Sequence, residues 1–198
     1  MSSIFDTVMQ QLGGANMAQL SQQIGADEGT TRNAVQAALP MLLGGLARNS
    51  SNPAGAASLS SALNEHRDTG ILDNLGGLIG NPQSGSGGGI LGHVFGNRRE
   101  NVEQGIGKAT GLDRQQAGKL LMVLAPIVMS VLARRHASAE RADAAPQGDL
   151  GQVLQHESQE AAQKAPSGLG GLLGMLDRDG DGNPLNDLGR LGGLLGGR

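Results

Sequence analysis

GLDRQQAGKLLMVLAPIVMSVLARR, residues Gly111 to Arg135, contains the longest apolar run of the chain, Leu120 to Ala133, without a charge. The same frame recurs in GADEGTTRNAVQAALPMLLGGLARN, Gly25 to Asn49. At an offset of 86 positions, Gly25, Asp27, Pro40, Leu46, Ala47 and Arg48 match Gly111, Asp113, Pro126, Leu132, Ala133 and Arg134. Apolar residues at helical spacing predict two long helices, over about 30–48 and 114–135, whose broad apolar faces pack together. Each carries an interior proline, which removes a hydrogen bond and predicts a kink shared by both copies.

Composition narrows the fold class. Phe5 and Phe95 are the only aromatic residues, so the core must be built from Leu, Ile, Val, Met and Ala. That supply favours helices over strands, and the chain reads as all-α. With no cysteine there is no disulfide, thiol nucleophile or Cys-ligated metal centre. The N-terminal MSSIFDTVMQQLGG lacks the basic and apolar regions of a signal peptide. The uncharged run Leu120–Ala133 is shorter than the roughly 20 apolar residues of a membrane span, so it reads as a buried core helix. These features predict a soluble cytoplasmic protein.

Residues 1–80 read as a first helical unit and 81–89, NPQSGSGGG, as a flexible Gly/Ser linker. Residues 90–136 form the core of a second helical unit. Residues 137–167 are an Ala/Gln/Glu-rich polar helix or tether, and 168–198 a Gly-Leu-rich tail. Within the first unit, short helices are expected at 4–12, at 16–24, from Ser58 to Glu65 and from Ile71 to Ile79; in the second, at 98–109. Asp113 with Gln116 has the spacing of a capping box. Residues 90–136 carry 7 basic and 3 acidic side chains. Phe95 alone offers a stacking surface there, which points to a solvated helix face and away from nucleic acid.

Leu-Gly-Gly-Leu occurs at 43–46, 75–78, 169–172 and 191–194. Glycine costs about 1 kcal/mol relative to alanine inside a helix, so its recurrence marks close backbone approach or helix ends. Internal packing is the plain explanation; homo-oligomerisation through glycine-lined faces is the sharper one.

The segments ILGHVFG (90–96), VEQGIGKATGLD (102–113) and LLMVLAPIVMSVLARR (120–135) resemble the signature of YidB-like bacterial proteins, the family of domain of unknown function 937. The duplicated frame and the DxDxDG-bearing tail are similar to members of that family as well. The resemblance covers most of the chain. It implies an all-helical bacterial protein without an established activity, and it supplies no catalytic residues.

Chemistry concentrates in Asp177-Arg-Asp179-Gly-Asp181-Gly182-Asn183. Carboxylates at positions 1, 3 and 5 with glycine at 6 can wrap oxygen ligands around Ca²⁺, and Asn183 can add its carbonyl. The twelfth position holds Leu188 in place of glutamate, and Asp187 can substitute. That deficit predicts affinity on the order of the upper micromolar range or weaker. The alternative is an acidic turn that caps a helix starting at Asn183-Pro184 and binds nothing. His66, His93, His136 and His156 show no HExxH or HxH spacing, and Gly87–Gly92 lacks the Lys-Ser/Thr of a phosphate loop. No GxSxG elbow accompanies the serines. The reading is a non-enzymatic structural or interaction protein of unknown partner. A peripheral membrane role is the alternative, disfavoured by a tail with few cations and no aromatic residue.

Overall fold

The computed structural model describes residues 3–67, 70–141 and 150–165. These form α1 (Ile4–Gln11), α2 (Ala15–Ile24), α3 (Glu28–Asn49), α4 (Pro53–His66), α5 (Leu75–Gly80), α6 (Gly87–Phe95), α7 (Arg99–Thr110), α8 (Arg114–Arg141) and α9 (Leu150–Lys164). Short 3-10 turns at Pro82–Ser84 and Gly96–Arg98 join the sixth helix to its neighbours. No strand occurs among the described residues, and the architecture is all-α.

Two similar corners launch the long helices. Gly25 (φ 78°) closes α2 and Gly111 (φ 83°) closes α7, both in the left-handed conformation that glycine adopts without strain. Asp27 then accepts the Thr30 N–H at 2.9 Å to cap α3. At the second corner the expected capping box forms: Asp113 accepts from the Gln116 N–H at 2.8 Å, and Gln116 Oε1 from the Asp113 N–H at 2.9 Å. Gln116 Nε2 also donates to the Gly25 carbonyl at 2.8 Å, tying the corners together.

The eighth helix is the axis of the core. Leu120, Leu121, Val123, Leu124 and Ile127 are fully enclosed, and one apolar cluster runs from Ile4 to Ala161. The uncharged run Leu120–Ala133 by itself understates this element. Arg114–Ser138 is long and apolar enough to cross a bilayer, because its polar first and last turns count toward the length, yet most of that stretch is buried inside the protein. The pairing of the long helices also differs from expectation. They touch, but α8 buries its face mainly on α6 and α7, and α3 mainly on α9. The ninth helix, read as a polar helix or tether, competes for that apolar face and wins it.

The Gly/Ser stretch 81–89, expected to be a linker, contains a 3-10 turn and the first residues of α6. Packing explains the order. Pro126 has no N–H, so the Met122 carbonyl loses its intrahelical partner. The Gly87 backbone lies so close to that carbonyl that a Cβ on Gly87 would overlap it. The helix expected from Ile71 starts only at Leu75. Gly70 turns left-handed (φ 61°), and the Asn74 side chain caps the helix by accepting the Gly77 N–H.

Two of the Leu-Gly-Gly-Leu segments fall in described helices and are occupied internally. A Cβ on Gly44 would stand 3.2 Å from Ser158 Oγ, and one on Gly45 2.5 Å from Val94 Cγ1. Gly76 meets Gln19, whose Nε2 donates to its carbonyl at 2.9 Å. The copies at 169–172 and 191–194 lie outside the described residues.

Candidate functional site

The most elaborate polar arrangement among the described residues is the seam where α9 lies across α3 and the start of α1. Its inner stripe is Gly151, Leu154, Glu157 and Ala161, spaced three or four apart along one helix face. Leu154 and Ala161 are fully enclosed. Val153, from the neighbouring face, is the one large apolar side chain exposed among the described residues.

Glu157 is a buried carboxylate with both oxygens engaged. Oε2 accepts the Ile4 N–H at 2.7 Å, and Oε1 accepts from Arg135 Nη1 at 2.7 Å. Ile4 opens the first helix, where unpaired N–H groups and the helix dipole favour an anion. Ser158 Oγ donates to the Pro40 carbonyl at 3.2 Å, inside the proline-bearing part of α3.

At the far end Lys164 Nζ donates to Asp6 at 2.6 Å and to Ser3 Oγ at 3.0 Å, and stands 5.9 Å from the centre of the Phe5 ring. Ser3 and Asp6 form a capping box of their own around the start of α1. The hydrogen bond from Lys164, then that from Ser3, holds the Asp6 carboxyl below the usual carboxylate range. Asp6 in turn raises the Lys164 ammonium. The pair is solvent-screened and adds little to stability; its effect is to fix the register of α9.

The chemistry of this seam is recognition of a helix. Its donors and acceptors bond one another across elements far apart in sequence, which holds an amphipathic helix at one rotation and one height. Glu157 was not among the candidate residues read from the sequence. The available signal was the 151–154–157–161 stripe, whose glycine and alanine permit close approach.

The Ca²⁺ ligands proposed from sequence, Asp177, Asp179, Asp181, Asn183 and Asp187, lie outside the described residues. Among the described ones, no group of three or more His, Cys, Asp or Glu side chains could hold a metal ion. His93 is exposed, with Nδ1 2.9 Å from the Gly89 carbonyl, and His66 bridges the Ala62 carbonyl and Ser86 Oγ, each at 2.9 Å. Neither lies in the core.

No curated protein and no solved structure matches the chain. A family match does exist, and it covers residues 6–135, from the first helix through most of α8. The ninth helix falls beyond it. On that match the chain belongs to DUF937, a family of bacterial proteins of unknown function.

Proposed function

We propose that the chain is a non-enzymatic cytoplasmic interaction protein whose α1–α3 face binds a helix, with α9 as the resident occupant and a second copy as the partner that exchanges it. The observation carrying this reading is α9 itself. A helix beyond the family match supplies the main cover for α3, a helix within it, and Glu157, Ser158 and Lys164 pin it there. Exchange of such an element between copies remakes contacts that already exist, which makes it a low-cost route to a dimer.

The absence of cysteine gives a clean test. A Cβ at Gly44 would stand 3.2 Å from Ser158 Oγ, within disulfide reach. Under mild oxidation a chain carrying both Gly44→Cys and Ser158→Cys should cross-link within itself. Mixing the two single variants should give a disulfide-linked heterodimer on non-reducing gels. If the double variant closes but the mixed singles never link beyond the level of each single variant alone, exchange is wrong and helix binding stands alone.

The same reading gives the acidic loop a weak Ca²⁺ site formed by Asp177, Asp179, Asp181, Asn183 and Asp187, supported by the spacing of the ligands. Calorimetric titration of the full chain should give binding heat with a dissociation constant on the order of 10⁻⁴ M or weaker, abolished by Asp179→Ala. A flat titration removes the ion. An ancestral duplication, with a kink at Pro40 and Pro126, accounts for the paired corners at Gly25–Asp27 and Gly111–Asp113.

A further inference from the structure

Arg48 stands in the last turn of α3, half-buried, with Nη1 enclosed and no hydrogen-bond acceptor for it among the described residues. The packing around it explains the enclosure. Gly45, three residues earlier and on the same helix face, lies against Val94 and Phe95. Asn49, one residue later, donates to the His93 carbonyl at 2.6 Å. Arg48 is therefore held beside the end of α6, where the chain turns through Gly96–Arg98. Burial first, and the nearby positive charge of exposed Arg98 second, depress the affinity of the Arg48 guanidinium for its proton.

Other arginines of the protein are treated differently. Arg134, which matches Arg48 at the offset of 86, pairs with Asp73 at 3.1 Å. Arg99, next to Arg98, is taken by Glu103 at 2.8 Å. Among the described residues no carboxylate pairs with Arg48 or Arg98. The negative end of the α3 dipole favours a cation at this place but offers Nη1 no acceptor. A half-buried guanidinium next to a second one is costly unless an anion lies against both and offsets their charge. Guanidinium forks fit the oxygens of phosphate in particular.

We propose that Arg48 and Arg98 form a binding site for a phosphate oxyanion at the rim where α3 and α6 end. Arg48 supplies a guanidinium held at a fixed position, and Arg98 closes on the ligand from the solvent side. The same chemistry is offered by free phosphate and by the phosphate of a lipid headgroup.

The test uses the full-length ¹⁵N-labelled chain, titrated with inorganic phosphate against chloride at matched ionic strength, and with phosphatidylglycerol vesicles against phosphatidylcholine vesicles in a flotation assay. Saturable amide shifts at 48–49 and 96–99 that weaken about tenfold in Arg98→Ala, an exposed change compatible with folding, establish the site for free phosphate. Flotation with phosphatidylglycerol alone, lost in Arg98→Ala, establishes it for a headgroup. Arg48→Lys, which keeps the charge but not the fork, should weaken whichever binding is seen. If neither probe binds, or if Arg98→Ala binds both as the parent does, the proposal is wrong.

Discussion

Replacing Gly87 by alanine should lower stability by about 3 kcal/mol, while the same change at Gly88 or Gly89 should be neutral or raise it by about 0.5–1 kcal/mol. All three glycines lie in the first turn of α6, and alanine gains helix propensity at each. Their surroundings differ. Nothing lies within 4 Å of a Cβ on Gly88 or Gly89, whereas one on Gly87 overlaps the Met122 carbonyl. That obstacle is backbone on the central helix, so it cannot turn aside as a side chain would. Urea unfolding of the three variants measures the contrast. Equal midpoints would mean that α6 does not approach α8 at this carbonyl.

The second large effect is expected at Leu154. Leu154→Asp removes a fully enclosed side chain, a loss of about 2–3 kcal/mol in burial alone, and leaves a carboxylate with no partner in an apolar seam. The polar contacts at Glu157 and Ser158 contribute about 1 kcal/mol each, more for the charged Glu157 bonds, and the exposed Lys164 pair adds little, so together they do not offset this. The ninth helix should leave α3. Hydrogen exchange should then accelerate across 150–165 and at the Ile4 amide, while α6 to α8 stay protected. Val153→Asp, one residue away on the exposed side, should change stability by less than about 0.5 kcal/mol. Global unfolding of Leu154→Asp would show instead that α9 belongs to the same cooperative unit as the core.

How legible the fold was depends on where its determinants lie in the chain. The helix corners were local: Gly111, Asp113 and Gln116 stand within six residues, and their spacing names the left-handed glycine and the capping box directly. The core role of α8 was legible from its unbroken Leu120–Ala133 run, although its full length was not, because the polar ends carry no such signal. What could not be read locally was choice of partner. The apolar stripe of α3 says that something must cover it. It does not say that α9 will be preferred to α8. That preference arises from Gly44 meeting Ser158 and from Glu157 meeting Ile4, pairs more than a hundred residues apart. Order in the Gly/Ser stretch 81–89 was hidden for a similar reason: Gly87 reads as a flexible residue until its contact with Met122 is known. The candidate site was least legible, since the partners of Glu157 and Lys164, the Ile4 N–H and Asp6, stand more than a hundred and fifty positions away.

The bond from the Ile4 N–H to Glu157 spans 153 positions, joining the first helix to the last described one. Pairings of that separation form late, because a long loop must close before they contribute anything. On a ribosome the consequence is a waiting period. The first helix emerges early, and the side chain that completes its opening turn is made only after nearly four-fifths of the chain. During that interval the α3 surface is uncovered in every nascent copy. Two chains translated side by side on one message would meet with that face open, so the proposed exchange of the ninth helix is favoured most during synthesis.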